Sequence, residues 1–119
     1  MNIRIADVDS KVVEIRKTKV LLDCDVASLY GVGTKEVNQA VKNNPEKFPK
    51  RYIITVNKKE KSELVKNFDR FSSLKHSSAP IKAFTEKGLY MLATILKSSQ
   101  ATKTTLAIIE TFTKIRELK

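Results

Sequence analysis

The sequence predicts an α+β fold: a small β-sheet or hairpins with a helix-turn-helix-like corner, about four to five helices and a long C-terminal helix. Three observations carry this. Two β-branched runs, Val12-Val13-Glu14-Ile15 and Val20-Leu21-Leu22, flank the basic tetrapeptide Arg16-Lys17-Thr18-Lys19 and read as a hairpin. Residues 22–44 hold two short helical periodicities separated by Gly31-Val32-Gly33. Residues 100–118 repeat apolar side chains at helical spacing, with Ile108, Phe112 and Ile115 on one face and Leu106 and Ile109 beside them. At 119 residues the chain suits one domain, spanning 1–119.

In chain order, Ile3 and Ile5 alternate with polar neighbours before the hairpin. Asp23 then suits the N-cap of a helix carrying Val26, Leu29 and Tyr30, and Gly31 suits its end, where a left-handed residue makes a tight corner. Thr34 suits the cap of a second helix, running to Asn44, with Val37, Ala40 and Val41 inward. Ala27 is small where the two helices cross. Pro45 opens a further turn, Pro49 stops it, and Phe48 anchors it.

Arg51-Tyr52-Ile53-Ile54-Thr55-Val56 is the best strand of the chain. Asn57 with Glu60 forms a capping-box pattern that starts a helix over 58–68, with Leu64, Val65 and Phe68 inward and Lys58, Lys59, Lys61 and Lys66 outward. The serine-rich stretch 69–80 reads as a surface loop. Ile81 to Phe84 is a second strand, and Thr85 caps a helix through Leu89, Leu92, Ile95 and Leu96 that is apolar on most of its circumference and so is expected at the centre of the core.

A formal charge of +10 and a pI near 9.8 suit a polyanionic partner. A membrane role is not expected: no run approaches a spanning helix, and MNIRIADVDS lacks the apolar core of a signal peptide. A cytoplasmic protein, on the nucleoid when bound to DNA, is the expectation. With one cysteine, Cys24, and one histidine, His76, there is no zinc ligand set, and no cofactor is expected. Ser72-Ser73-Leu74-Lys75 has the S-x-x-K spacing but no companion motifs. Asp23 and Asp25 are acids a helix dipole favours in a first turn. The chain does not read as an enzyme.

The corner is the more informative feature. The second helix carries Thr34, Lys35, Asn38, Gln39, Lys42 and Asn43, side chains that can bond phosphates and base edges. Asn38 and Gln39 suit base reading, Lys35 and Lys42 bases or phosphates, and Lys50 and Arg51 the backbone nearby. The same spacing fits an ordinary helical corner with a solvated polar face. Likewise Arg16, Lys17 and Lys19 at the hairpin tip can lie on a phosphate backbone or sit in water. Tyr30 and Tyr52 fall at apolar-periodic positions and read as core. Because one small monomer makes few base contacts, a homodimer through the last helix is expected.

LLDCDVASLYGVGTKEVNQAVKNN, PEKFPKRYIITVNKKE, AFTEKGLYMLATIL and TLAIIETFTKIREL, in this order, resemble the ORF-six N-terminal domain, a relative of the KilA-N and Bro-N domains of phages, prophages and large DNA viruses. The resemblance covers about residues 20 to 117 and implies double-stranded DNA binding in a transcription regulator or antirepressor of a mobile element. Asn43 departs from the family's frequent arginine before the residue aligned with Asn44. Family members commonly carry a further C-terminal domain, so the chain is expected to be either a minimal version or the cut-out domain of a longer protein. The alternative is a protein-interaction module whose basic face binds an acidic partner, as an antirepressor binds a repressor.

Overall fold

The computed structural model describes residues 4–118. Its order is α1 (Ile5–Asp9), β1 (Val13–Ile15), β2 (Thr18–Leu22), α2 (Asp23–Tyr30), α3 (Thr34–Asn43), a 3-10 turn (Pro45–Lys47), β3 (Ile53–Thr55), α4 (Lys58–Asn67), a 3-10 helix (Asp69–His76), β4 (Lys82–Phe84), α5 (Glu86–Ala93) and α6 (Ala101–Glu117). The α+β class, the hairpin and the long last helix are as the sequence predicts.

The four strands form one antiparallel sheet in the order β1-β2-β4-β3. Register places Leu21, Phe84 and Ile53 side by side, and Leu22, Ala83 and Ile54 side by side. Successive strand residues face opposite sides, so each row feeds its own core. The first row joins Val26, Leu29, Tyr30, Val37, Leu89, Leu92, Ile108 and Phe112 beneath the helices α2, α3, α5 and α6. The second joins Val13, Ile15, Val20, Leu64, Phe71 and Ile81 on the side of α4.

Several local expectations change. Ile3 lies outside the described residues, and Ile5 opens a short helix that its alternation with polar neighbours does not foretell, because Asp7 accepts from the Arg4 backbone N–H (2.9 Å) and closes a capping box. The hairpin turn narrows to Arg16-Lys17, with φ of 53° and 63°, the paired left-handed conformation that fits the twist of a two-residue hairpin. Leu22, not Asp23, is the N-cap of α2, and Gly33, not Thr34, that of α3; neither makes a side-chain cap bond. The Asp23 carboxylate is turned instead toward α3 and β4.

Gly31 ends α2 with φ of 71° as predicted, and the Val32 N–H closes the turn on the Ala27 carbonyl (3.0 Å). The strand expected over 51–56 shrinks to Ile53–Thr55, since Arg51 takes φ of 77° and the Tyr52 N–H bonds Pro49. The capping box of Asn57 and Glu60 forms as expected.

The expected loop over 69–80 is largely a 3-10 helix. Phe71 is buried in the second core, edge-on to Phe68, and the Arg70 guanidinium lies over its ring at 4.2 Å. Burying one phenylalanine stabilises by about 1.5–3 kcal/mol, a gain that ties the segment down. Thr85 caps α5 by accepting from the Gly88 N–H, but the helix ends at Ala93, where the Thr94 hydroxyl folds back to the Met91 carbonyl (2.6 Å). Nor is α5 the central helix. That place falls to α2, six of whose eight residues are buried against three of eight in α5, because α2 lies among the sheet, α3 and α6.

Candidate nucleic-acid interface

The corner of α2 and α3 is held by polar bonds as well as apolar contact. Asp23, 4% exposed, accepts three bonds: from the Cys24 N–H (2.8 Å), from Asn38 Nδ2 (3.0 Å) and from the Lys82 N–H (3.3 Å). One carboxylate therefore ties α2, α3 and β4 together. At its far end α2 is bolted to α6: the Tyr30 hydroxyl pairs with Thr105 (2.8 Å), and Thr104 and Gln100 both donate to the Leu29 carbonyl (2.8 and 3.2 Å).

Asn38 is thus turned inward. Its amide nitrogen is engaged by Asp23, and its oxygen is enclosed without a hydrogen-bond partner. Turning the amide over would set that oxygen against a carboxylate, so the observed orientation is the favourable one. The outward side chains of α3 are Lys35, Glu36, Gln39, Lys42 and Asn43, all exposed, with Thr34 half-buried at its start. Gln39 donates to Asn43 one turn on (2.9 Å). Lys35 and Lys42 form no ion pair with any described residue.

The remaining basic residues singled out in the sequence lie elsewhere. Arg16, Lys17, Lys19, Lys50 and Arg51 line a groove of about 810 Å³ between the hairpin tip and β3, and no residue of α3 contributes to it. Lys87 and Arg116, which the sequence did not single out, complete its basic rim. They come from the start of α5 and the end of α6, and no local pattern relates them. Arg16 pairs with Glu60 and Lys19 with Glu14 (3.0 Å).

Burial, then the Asp25 and Asp23 charges, push the Cys24 thiol up to about 11, so it stays protonated. Burial raises Asp25 despite the opposing Arg70 guanidinium 3.4 Å away. Ser72, Lys75 and His76 are exposed on the 3-10 helix. No helix among the described residues is long and apolar enough to cross a membrane.

A two-helix corner packed on a small antiparallel sheet, with lysines on its outer helix, defines an α+β domain. The family model of the ORF6N domain matches residues 10–95, and the chain belongs to this family. The match runs from the end of α1 to just past α5. No curated protein and no solved structure matches the chain.

Proposed function

We propose that this is a double-stranded DNA-binding domain of a phage- or prophage-type transcription regulator or antirepressor, with α3 entering the major groove. One observation chiefly supports the reading: α3 presents Lys35, Gln39, Lys42 and Asn43 outward, with both lysines free of ion pairs among the described residues. Gln39 and Asn43 carry the amides that pair with adenine edges, and the lysines reach guanine or phosphate. Asn38 serves as a positioning residue that sets the angle of α3 through Asp23. Catalysis has no part in this reading, and the protein works in the cytoplasm, on the nucleoid when bound.

A homodimer would double the base contacts on a pseudo-palindromic site. The exposed apolar side chains of α6, Leu106 at 57% and Ile109 at 37%, favour that helix as the interface. Sedimentation on and off DNA tests this, and a monomer under both conditions rejects it.

Selection from a random duplex library tests base reading. Enrichment of a defined sequence is expected, with Gln39→Ala costing about 1–3 kcal/mol at one position. Lys42→Ala should weaken all sequences and flatten the salt dependence. Failure to enrich any sequence rejects base readout by α3.

A further inference from the structure

The geometry points to the groove between the hairpin tip and β3 as a docking site for an extended acidic polypeptide segment that alternates carboxylate and apolar side chains. Seven cationic residues line this groove against two acids, Glu14 and Glu86. Each acid is already taken, Glu14 by Lys19 and Glu86 by Arg116, while Arg16 is held by Glu60 outside the groove's lining. Lys17, Lys50, Arg51 and Lys87 are left around one concavity with no ion pair to any described residue. An occupant carrying several negative charges complements them.

The floor selects among polyanions. Ile53 and Ile115, both packed on the first core, line it and are half-buried, an apolar surface that a phosphate backbone would leave uncovered. Phe112 is the sole aromatic lining residue and is 3% exposed, so no ring is offered for base stacking, on which single-strand binders depend. Apolar side chains alternating with carboxylates satisfy floor and rim together.

The course of the groove favours an extended segment. Ile53, Ile54 and Thr55 point alternately to opposite faces of the sheet, yet all three line the groove. It therefore follows the edge of β3, which has a strand on one side only. An added strand can pair there and place alternate side chains on floor and rim. Arg16 closes one end by donating to the Thr55 carbonyl (3.3 Å). Arg16, Lys17 and Arg51, the non-glycine residues with positive φ among those described, all belong to this rim. Arg16 and Lys17 owe this to the two-residue hairpin turn, whereas Arg51, a non-glycine residue in the turn closed by the Tyr52 N–H on Pro49, holds its cation on strained backbone, which often marks binding sites.

The inference stands apart from the DNA reading of α3, since α3 does not line the groove. The test uses the whole protein and a labelled synthetic peptide of about ten residues, roughly the upper length of an ordinary strand, alternating Asp or Glu with Val or Leu. Controls are a polyglutamate of equal length, the Asn/Gln version of the peptide, and a duplex oligonucleotide. Anisotropy should show the alternating peptide binding about tenfold more tightly than polyglutamate. Lys50→Glu with Lys87→Glu should weaken it about tenfold or more, while Lys35→Glu with Lys42→Glu leaves it unchanged. Backbone amide shifts in the unmutated protein should move at residues 16–19 and 51–55, independently of any variant's folding. The inference is overturned if the alternating peptide does not bind, if polyglutamate binds equally well, or if the amides that move are those of α3. Loss of duplex binding in the groove variants, without peptide binding in the unmutated protein, would give the groove to nucleic acid instead.

Discussion

Arg16, at the tip of the hairpin, donates two hydrogen bonds to Glu60, at 2.8 and 3.0 Å, and Glu60 is the residue that closes the capping box of α4 by accepting from the Asn57 N–H at 2.9 Å. One carboxylate thus caps a helix and pins a turn 44 residues earlier in sequence. The Arg16 guanidinium, above all, holds the Glu60 carboxyl below its ordinary value. Its contribution to stability is therefore complete above the ordinary glutamate range and fades as pH falls through the lowered value. Glu60→Gln should lower the urea midpoint at neutral pH, and the difference from the unmutated protein should shrink in acid. An equal difference at both pH values would contradict the coupling.

Asp25 behaves in the opposite sense. Burial raises its carboxyl, outweighing Arg70, so the folded state prefers the neutral acid. The related stability is full below the ordinary aspartate range and declines as pH rises through the raised value. Asp25→Asn should melt above the unmutated protein at pH 7 and level with it at low pH. A lower melting temperature at pH 7 would show that the Arg70 contact prevails.

Gly88→Ala should be among the most damaging small substitutions. A methyl group there would stand inside the van der Waals contact distance of the Tyr52 carbonyl oxygen. That oxygen also accepts from the Thr85 N–H (3.1 Å) and hydroxyl (3.0 Å), so it cannot retreat without loosening the cap of α5. The cost should reach the upper end of the roughly 1–3 kcal/mol of overpacking, or pass it. Denaturant titration measures this, and a change under about 0.5 kcal/mol, ordinary for surface sites, would refute the close approach.

Asn38→Ala should destabilise by about 1.5–3 kcal/mol, the range for a hydrogen bond to a charged group, because the enclosed Asp23 carboxylate loses a donor. Gln39→Ala, one residue on and exposed, should stay within about 0.5 kcal/mol. Equal stabilities for the two variants would mean that Asn38 does not fix the corner.

Much of the architecture was legible because it is written locally. Gly31 at a left-handed corner, Asn57 with Glu60 at a helix start and Thr85 before α5 each act over three or four residues, and each forms as read. What distant partners decide was not legible. Asp23 looked like a cap because the donors that claim it, the Asn38 amide and the Lys82 N–H, are 15 and 59 residues away. The stretch after Asp69 looked like a loop because its serines outnumber Phe71, whose place is made by distant residues of the second core such as Val13, Val20 and Ile81. The basic side chains of the candidate interfaces were visible as charges, but their division between α3 and the groove depends on the fold.

The Asp23 knot also bears on how α3 would meet a ligand. A helix joined to its neighbours by apolar contact alone can rock, and some of the binding free energy then goes into restricting that motion. Here α3 is indexed to the sheet by a directional bond, so a ligand meets a surface already in its final attitude. If α3 binds as proposed, little ordering entropy would be lost, and the angle of approach would be inherited from the sheet rather than set by the ligand.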